Sequence, residues 1–287
     1  MQENKGKLSK AMLFILLMGI VSMFSDLTHE GATGIRGAYL DLLGASAVTI
    51  GFVSGLGELV GYSLRMLFGL FTDKTKKYWP ITIIGYTVDL LAVPALALIT
   101  ENGWRWAAAL LIVQRMGKAM KKPAKDTILS FAATAEGAGK SFAIQEALDQ
   151  IGAFLGPVLV YLVMKYKSGS PIDIYRAAFA VLAVPAVVTL FLLLFAKRRF
   201  PNPESFEPEP KEYIPFRIKP SFIVYLVAVS MFAFGFIDFS LITMHASKTM
   251  LFSDAALPLL YALAMLSDAA AALICGLLYD KKGIKIL

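Results

Sequence analysis

GLFTDKTKK at Gly69–Lys77 recurs as GLLYDKKGIK at Gly276–Lys285. Each copy ends a long apolar run and opens a short basic connection, so the same helix-to-loop transition is written twice. A second echo sets FSDL (Phe24–Leu27) against FIDF (Phe236–Phe239), in the same order and at nearly the same offset. Between the copies lies KRRFPNPESFEPEPKEYIPFRIKP, 197–220, a stretch rich in proline and glutamate with no apolar periodicity. Such a stretch cannot bury enough surface to fold and reads as an extended linker. The chain after it restarts the pattern of the chain before it, as parallel repeats do.

The surroundings of the repeat decide its solvent. The 287 residues are 57% hydrophobic and 17% charged, with mean hydropathy +0.65. That excess of apolar residues argues against a soluble enzyme. Eight segments have the length a crossing helix needs: about 10–38, 46–71, 79–100, 103–122, 141–165, 173–196, 219–246 and 255–279. No ten-residue alternation suggests barrel strands, so an all-α polytopic membrane protein is expected. The first apolar run continues without a small-residue cleavage site and reads as a retained span rather than a signal peptide. With the N-terminus inside, most of the 28 basic residues fall on inner connections. Arg36, Arg105, Lys165, Lys167, Arg176 and Lys248 fall outside, and only Arg65 and Arg115 lie within spans. The positive-inside rule therefore puts the N-terminus in the cytoplasm and the chain in the cytoplasmic membrane. The net charge of +7 encodes orientation and does not suggest nucleic acid. A lone Cys275 and two histidines offer neither a disulfide nor a zinc site, and no cofactor is implied. Beyond Pro123, the inner stretch 121–140 is expected to hold a short surface helix.

With its two copies, the loop pattern resembles the signature of the major facilitator superfamily of secondary transporters. Gly69, Asp73, Lys74 and Lys77 match it in the first copy, and Gly276, Asp280, Lys281, Gly283 and Lys285 in the second. Lys76 departs from it where the family prefers glycine. The glycines would let inner helix ends approach closely, while the Asp and Lys residues would pair across the two halves and gate the inner side. The resemblance implies a six-helix N-terminal bundle (1–196), a cytoplasmic linker (197–219) and the first two helices of a second half (220–287). It makes the chain look truncated after its eighth helix. In the fifth span Gly152, Gly156 and Pro157 are similar to the Gly-x-x-x-Gly-Pro signature of proton-driven drug exporters, which hints at efflux. Val160 and Tyr161 depart from that pattern, and Gly152 and Gly156 also read as a simple helix-packing face. In the fourth span Arg115, Gly117 and Lys118 loosely resemble the family's Arg-containing signature linked to proton transfer.

Charges within spans are costly and therefore the functional candidates. At ~1.5 Å per residue from the inner helix ends, Asp26, Glu58, Asp89 and Asp268 fall deep. Arg65, Arg115, Glu146 and Asp149 form a shallower layer, read as an inner ion-pair network of Arg115 with Asp149 or Glu146 and with Arg65. Asp26 and Asp238 occupy equivalent repeat positions on helices that line the family's central cavity, so they are expected to face each other across the substrate path. Glu58 and Asp268 are likewise related. Asp26, Glu30, Glu58, Asp238 and Asp268 are the expected substrate or proton-coupling residues, with Asp26 and Glu58 leading. Asp89, on a helix that lies peripherally in this family, is a lesser candidate. His29, Glu30 and His245 suggest a divalent-cation site only weakly, and no metal is expected. Net acidity favours cationic or neutral substrates over anionic ones. The expected function is alternating-access transport of a small molecule with a coupling proton. Substrate, direction and oligomeric state stay open. The alternatives are a truncated non-transporting module or regulatory partner, and an integral-membrane enzyme, for which no nucleophile–base pair stands out.

Overall fold

The computed structural model describes residues 8–206 and 219–282, without the side chains of Ala138 and residues 272–282. Ten α-helices follow in chain order. They are α1 (Lys10–Leu42), α2 (Ala47–Thr75), α3 (Tyr78–Ala95), α4 (Trp104–Glu136) and α5 (Ala138–Tyr166), then α6 (Pro171–Val181), α7 (Ala183–Arg199), α8 (Pro220–Phe234), α9 (Phe239–Lys248) and α10 (Leu257–Lys282). Among the described residues, seven helical units are long and apolar enough to cross a membrane. They include α6 with α7 as Pro171–Arg199 and α8 with α9 as Pro220–Lys248.

Short polar residues set the helix starts. The Ser9 hydroxyl accepts from the Met12 N–H (2.9 Å) and Ser46 from Thr49 (3.2 Å), each meeting one of the donors a helix start leaves unpaired. Pro171 opens α6 at the position where its missing N–H costs nothing. Lys76 ends α2 in the left-handed region (φ 52°), which is where the family pattern prefers a glycine.

The fourth segment differs from the expectation. α4 runs 33 residues straight through Pro123. It buries Lys121, Ala124, Lys125, Ile128, Leu129, Ala132 and Ala133 beyond the point where a surface helix was expected. It is too charged to count among the apolar helices, yet it packs between α2 and α3 and touches α1. The neighbouring helices satisfy its polar side chains, so composition alone underrates it. The seventh segment differs too. α8 ends at Gly235, and α9 starts anew with the Asp238 carboxylate accepting from the Ser240 N–H (2.8 Å). Unpaired backbone at membrane depth is tolerated where it lines a cavity, and Phe236, Ile237 and Asp238 do line one.

α1 is the central helix, in contact with α4, α5, α7, α9 and α10. Two apolar cores form around it. Phe14, Ile15, Trp79, Tyr86, Leu90, Ile128 and Phe200 pack at the end carrying the N-terminus. Ile35, Tyr39, Leu96, Tyr175, Phe179 and Leu257 pack at the other end. Tyr39 donates to the Leu96 carbonyl at 2.9 Å, fully buried. Tyr39→Phe is expected to cost about 1 kcal/mol by orphaning that carbonyl, read as a small fall in the thermal midpoint of the detergent-solubilised protein. Between the two cores lies a layer of charge.

Candidate functional site

A polar stripe on α1 meets one on α4. Ser22, Ser25, His29, Thr33 and Arg36 recur at helical spacing on α1, and Gln114, Lys118, Lys121 and Lys125 do so on α4. The helices run antiparallel, so the stripes pair as a ladder. Lys125 donates to Ser22 (2.7 Å) and Lys121 to Ser25 (3.0 Å), while His29 meets both Lys121 and Gln114.

Asp89 of α3 closes this ladder. Its side chain is fully buried, with Oδ2 2.5 Å from Lys121 Nζ and 2.8 Å from His29 Nε2. Gln114 Nε2 donates to Asp89 Oδ1 (3.0 Å) and lies 3.2 Å from His29 Nδ1. Lys121 also sits over the Tyr86 ring, 4.0 Å from its centroid. Gly85 and Gly117 make the group compact: a Cβ on Gly85 would collide with the Lys121 backbone, and one on Gly117 with the Asp89 backbone. Asp89 is thus the hub of the buried charge layer and not peripheral.

Asp26 and Asp149 belong to the same layer. Lys125 is a charge neighbour of both, and the two carboxylates are charge neighbours of each other. Lys125, and not Arg115, is thus the principal cation near Asp149. Arg115 pairs instead with Glu58 of α2 at 2.6 Å. Glu146 is exposed and accepts from Gln150. The expected network of Arg115 with Glu146 or Asp149 is not formed.

Above this closed layer the helices part around open space. One cavity of about 170 Å³ is lined by His29, Glu30, Arg36, Gln114, Arg115, Lys118 and Tyr261. A second of about 140 Å³ takes Glu58, Tyr62, Arg65, Arg115 and Lys118. A third, about 740 Å³, lies between α2 and the α8–α9 break and is lined by Glu58, Tyr62 and Asp238 among others. Asp238 therefore shares its cavity with Glu58, while Asp26 sits in the closed layer and does not face Asp238 across open space. The lining is also more basic than expected, since Arg36, Arg65, Arg115 and Lys118 outnumber Glu30, Glu58 and Asp238. Asp268 is exposed on α10. His29 is engaged inside the bundle and His245 is exposed on α9, so the two do not form a cation site with Glu30. No group of three or more metal-binding side chains occurs among the described residues.

The end opposite the N-terminus is closed by contacts between α1 and the helices after the linker. Tyr261 donates to Glu30, and Arg36 Nε donates to Ser240 (3.0 Å). A Cβ on Gly37 would strike the Ser240 carbonyl. α1 and α5 meet at Gly152 and Gly156, where a Cβ would strike the Met23 and Leu27 carbonyls. Pro157 is buried one residue beyond. In the first loop motif, Gly69 lies near Pro123, while Asp73, Lys74 and Lys77 are exposed at the end carrying the N-terminus. The side chains of Gly276, Asp280 and Lys281, and Gly283 with most of the linker, lie outside the described residues.

This architecture has a known counterpart. The model of the Major Facilitator Superfamily matches residues 8–287. The chain belongs to that superfamily. An uncharacterized protein of Mycobacterium tuberculosis (strain H37Rv) is 38% identical over 283 residues, covering 96% of this chain and 67% of that protein. An uncharacterized superfamily-type transporter of Methanocaldococcus jannaschii is 30% identical over 203 residues, 71% of this chain and 48% of its own length. The chain thus spans between about half and two thirds of these relatives. Two solved structures share the fold. A bacterial homologue of the human drug peptide transporters gives a TM-score of 0.59 at 14% identity, covering 93% of this chain and 54% of that one. A D-xylose–proton symporter gives 0.58 at 12% identity, covering 94% and 68%. The chain is a multi-pass membrane protein of the superfamily, and its charged layer lies on the first, third, fourth and fifth helices of that fold.

Proposed function

We propose that this chain lines the path of a secondary transporter that moves a small molecule across the cytoplasmic membrane by alternating access, coupled to a proton. The observation that carries the reading is a charged cavity at mid-membrane, closed at one end by contacts between α1 and the helices after the linker. Those contacts, Glu30 with Tyr261 and Arg36 with Ser240, join residues from either side of the linker. Rocking of 1–196 against 220–287 would break them and open that end. At the other end, α8 buries none of its residues among the described part of the chain. The exposed Asp73, Lys74 and Lys77 stand at that end, where gating contacts across the halves would form.

Proton coupling is supported by the charge count of the closed layer. Asp26, Asp89 and Asp149 face Lys121 and Lys125, beside His29 and the phenol of Tyr86, while Lys122, also near Asp149, pairs with Asp126 at 3.5 Å. Asp89 is taken by Lys121, which leaves Lys125 as the common charge neighbour of Asp26 and Asp149. Two ionised carboxylates beside one ammonium in a water-poor layer are costly, so one proton held between them neutralises the layer. That proton is the coupling ion, with Glu30 as the neighbouring carboxylate on the cavity side. The cytoplasm is assigned to the N-terminal end, because most Lys and Arg of the connections stand there.

Reconstituted protein in vesicles with a trapped pH indicator tests this reading. Wild type is expected to couple solute movement to proton movement, and Asp26→Asn to reduce solute-dependent proton flux to background with unchanged yield and thermal midpoint. Equal proton flux in Asp26→Asn and wild type would remove Asp26 from the coupling role. A wild type that moves no solute under any gradient would sink the transport reading.

A further inference from the structure

The charges that line the open cavities are unequal in number and in how fully they are used. Four cations, Arg36, Arg65, Arg115 and Lys118, face three carboxylates, Glu30, Glu58 and Asp238. Glu146 and Asp268 are exposed and line none of these cavities.

Each carboxylate is already engaged. Tyr261 donates to Glu30, Arg115 pairs with Glu58 at 2.6 Å, and Asp238 caps α9 through the Ser240 N–H. The cations keep donors to spare. Lys118 makes no hydrogen bond or ion pair with any described residue, although it lines two of the cavities. Arg65 Nε is buried without an acceptor. Arg36 commits only Nε, to Ser240. A buried donor without a partner is costly, and a guanidinium presents its remaining N–H groups in a fork that matches a carboxylate or phosphate. Cavity walls of low dielectric strengthen that attraction over its value in water.

We propose that the cavity between α1, α4 and α10 takes a small organic anion, its carboxylate or phosphate group held by Arg36, Arg115 and Lys118. This names the substrate class of the transport reading above and rests on it. A cationic solute would meet an excess of like charge at the same place, contrary to the cationic or neutral substrate that the sequence suggested. Lys118 is the determinant, because it alone of the three makes no hydrogen bond or close ion pair, and Glu30, its charge neighbour in the same cavity, is already engaged by Tyr261. Arg115 supplies the geometry and keeps Glu58 as the partner it returns to when the anion leaves.

The test measures the thermal midpoint of the purified full chain in detergent with gluconate, inorganic phosphate, choline or glucose added. A ligand that binds only the folded state raises the midpoint, by about 2–4 °C per kcal/mol of binding linkage for a chain of this class. Gluconate or phosphate is expected to give such a rise, and choline and glucose none. Lys118→Gln is expected to lose the shift with an unchanged ligand-free midpoint, and Lys118→Arg to keep it. If Lys118→Gln fails to fold, Arg36→Gln takes its place with the same expectation. The proposal is overturned by a shift with choline or glucose and none with the anions, by no shift with either anion, or by full shifts in both glutamine variants. Failure here with intact proton-coupled flux leaves transport standing and removes the anion. An anion shift without flux does the reverse.

Discussion

Asp89→Ala is expected to destabilise the protein by about 3–5 kcal/mol, the typical cost of removing one partner from a buried ion pair. The reason is what the substitution leaves behind. Lys121 Nζ, buried at mid-membrane, would keep Ser25, the His29 ring and the face of Tyr86, and none of them supplies the carboxylate's compensating charge. Gln114 Nε2 would lose its carboxylate acceptor as well. Detergent-solubilised Asp89→Ala should therefore unfold roughly 10 °C below wild type, at about 2–4 °C per kcal/mol. The double variant Asp89→Leu/Lys121→Met removes both charges and should recover more than half of that loss, since a hydrophobic replacement of a buried pair is often neutral. Asp89→Asn should fall between, because it keeps an acceptor for Gln114 and loses the charge. A single alanine variant as stable as wild type would mean that water reaches Lys121 and that the layer is not closed.

The sequence made the membrane architecture readable and much of the charge layer unreadable, for separable reasons. Apolar length, the repeated GLFTDK and GLLYDK and the proline-rich linker each report on one segment at a time, and a helix is a local object. The family followed from those motifs, and the match over residues 8–287 bears it out. Lys121 and Lys125 were misplaced because each was judged by hydropathy alone, while Asp89, placed deep in its span, was ranked low because the third helix lies peripherally in the family. Lys121 and Lys125 looked like basic loop residues on the inner side, since a window that counts charge cannot tell a solvated lysine from one buried against a carboxylate. A signal was present in the spacing: Gln114, Lys118, Lys121 and Lys125 follow a strict helical stripe, which a loop has no reason to keep. Ser22, Ser25, His29, Thr33 and Arg36 repeat it on α1. Two polar stripes on two antiparallel helices are a pairing prediction. The partner of Arg115 was not recoverable in the same way, because choosing Glu58 over Asp149 depends on how α2 and α5 sit around α4.

Substitution of Gly152 or Gly156 is expected to do more harm than any other glycine change in the fifth helix, and to do it through Asp26. A Cβ on Gly152 would overlap the Met23 carbonyl, and one on Gly156 the Leu27 carbonyl and the Gly31 N–H. The obstacles are backbone atoms of α1, which cannot rotate aside as a flexible side chain would, so the two helices must separate. Overpacking of this kind costs about 1–3 kcal/mol for a single added methyl. Gly61→Ala is the matched control: nothing lies within 4 Å of a Cβ there, and alanine in a helix interior gains up to about 1 kcal/mol over glycine. Met23 and Leu27 bracket Asp26 on α1, so the contact that excludes a methyl group also sets how far the Asp26 carboxylate lies from Asp149 on α5. Gly152→Ala should thus lower the thermal midpoint and also weaken proton coupling, and Gly156→Val should abolish coupling outright. Solute-dependent proton flux in vesicles, normalised to folded protein, separates the two effects. Flux per folded molecule equal to wild type in Gly152→Ala would show that the glycines set only stability. Reduced flux in protein that is still folded would show that the distance between α1 and α5 positions the carboxylates that share the proton.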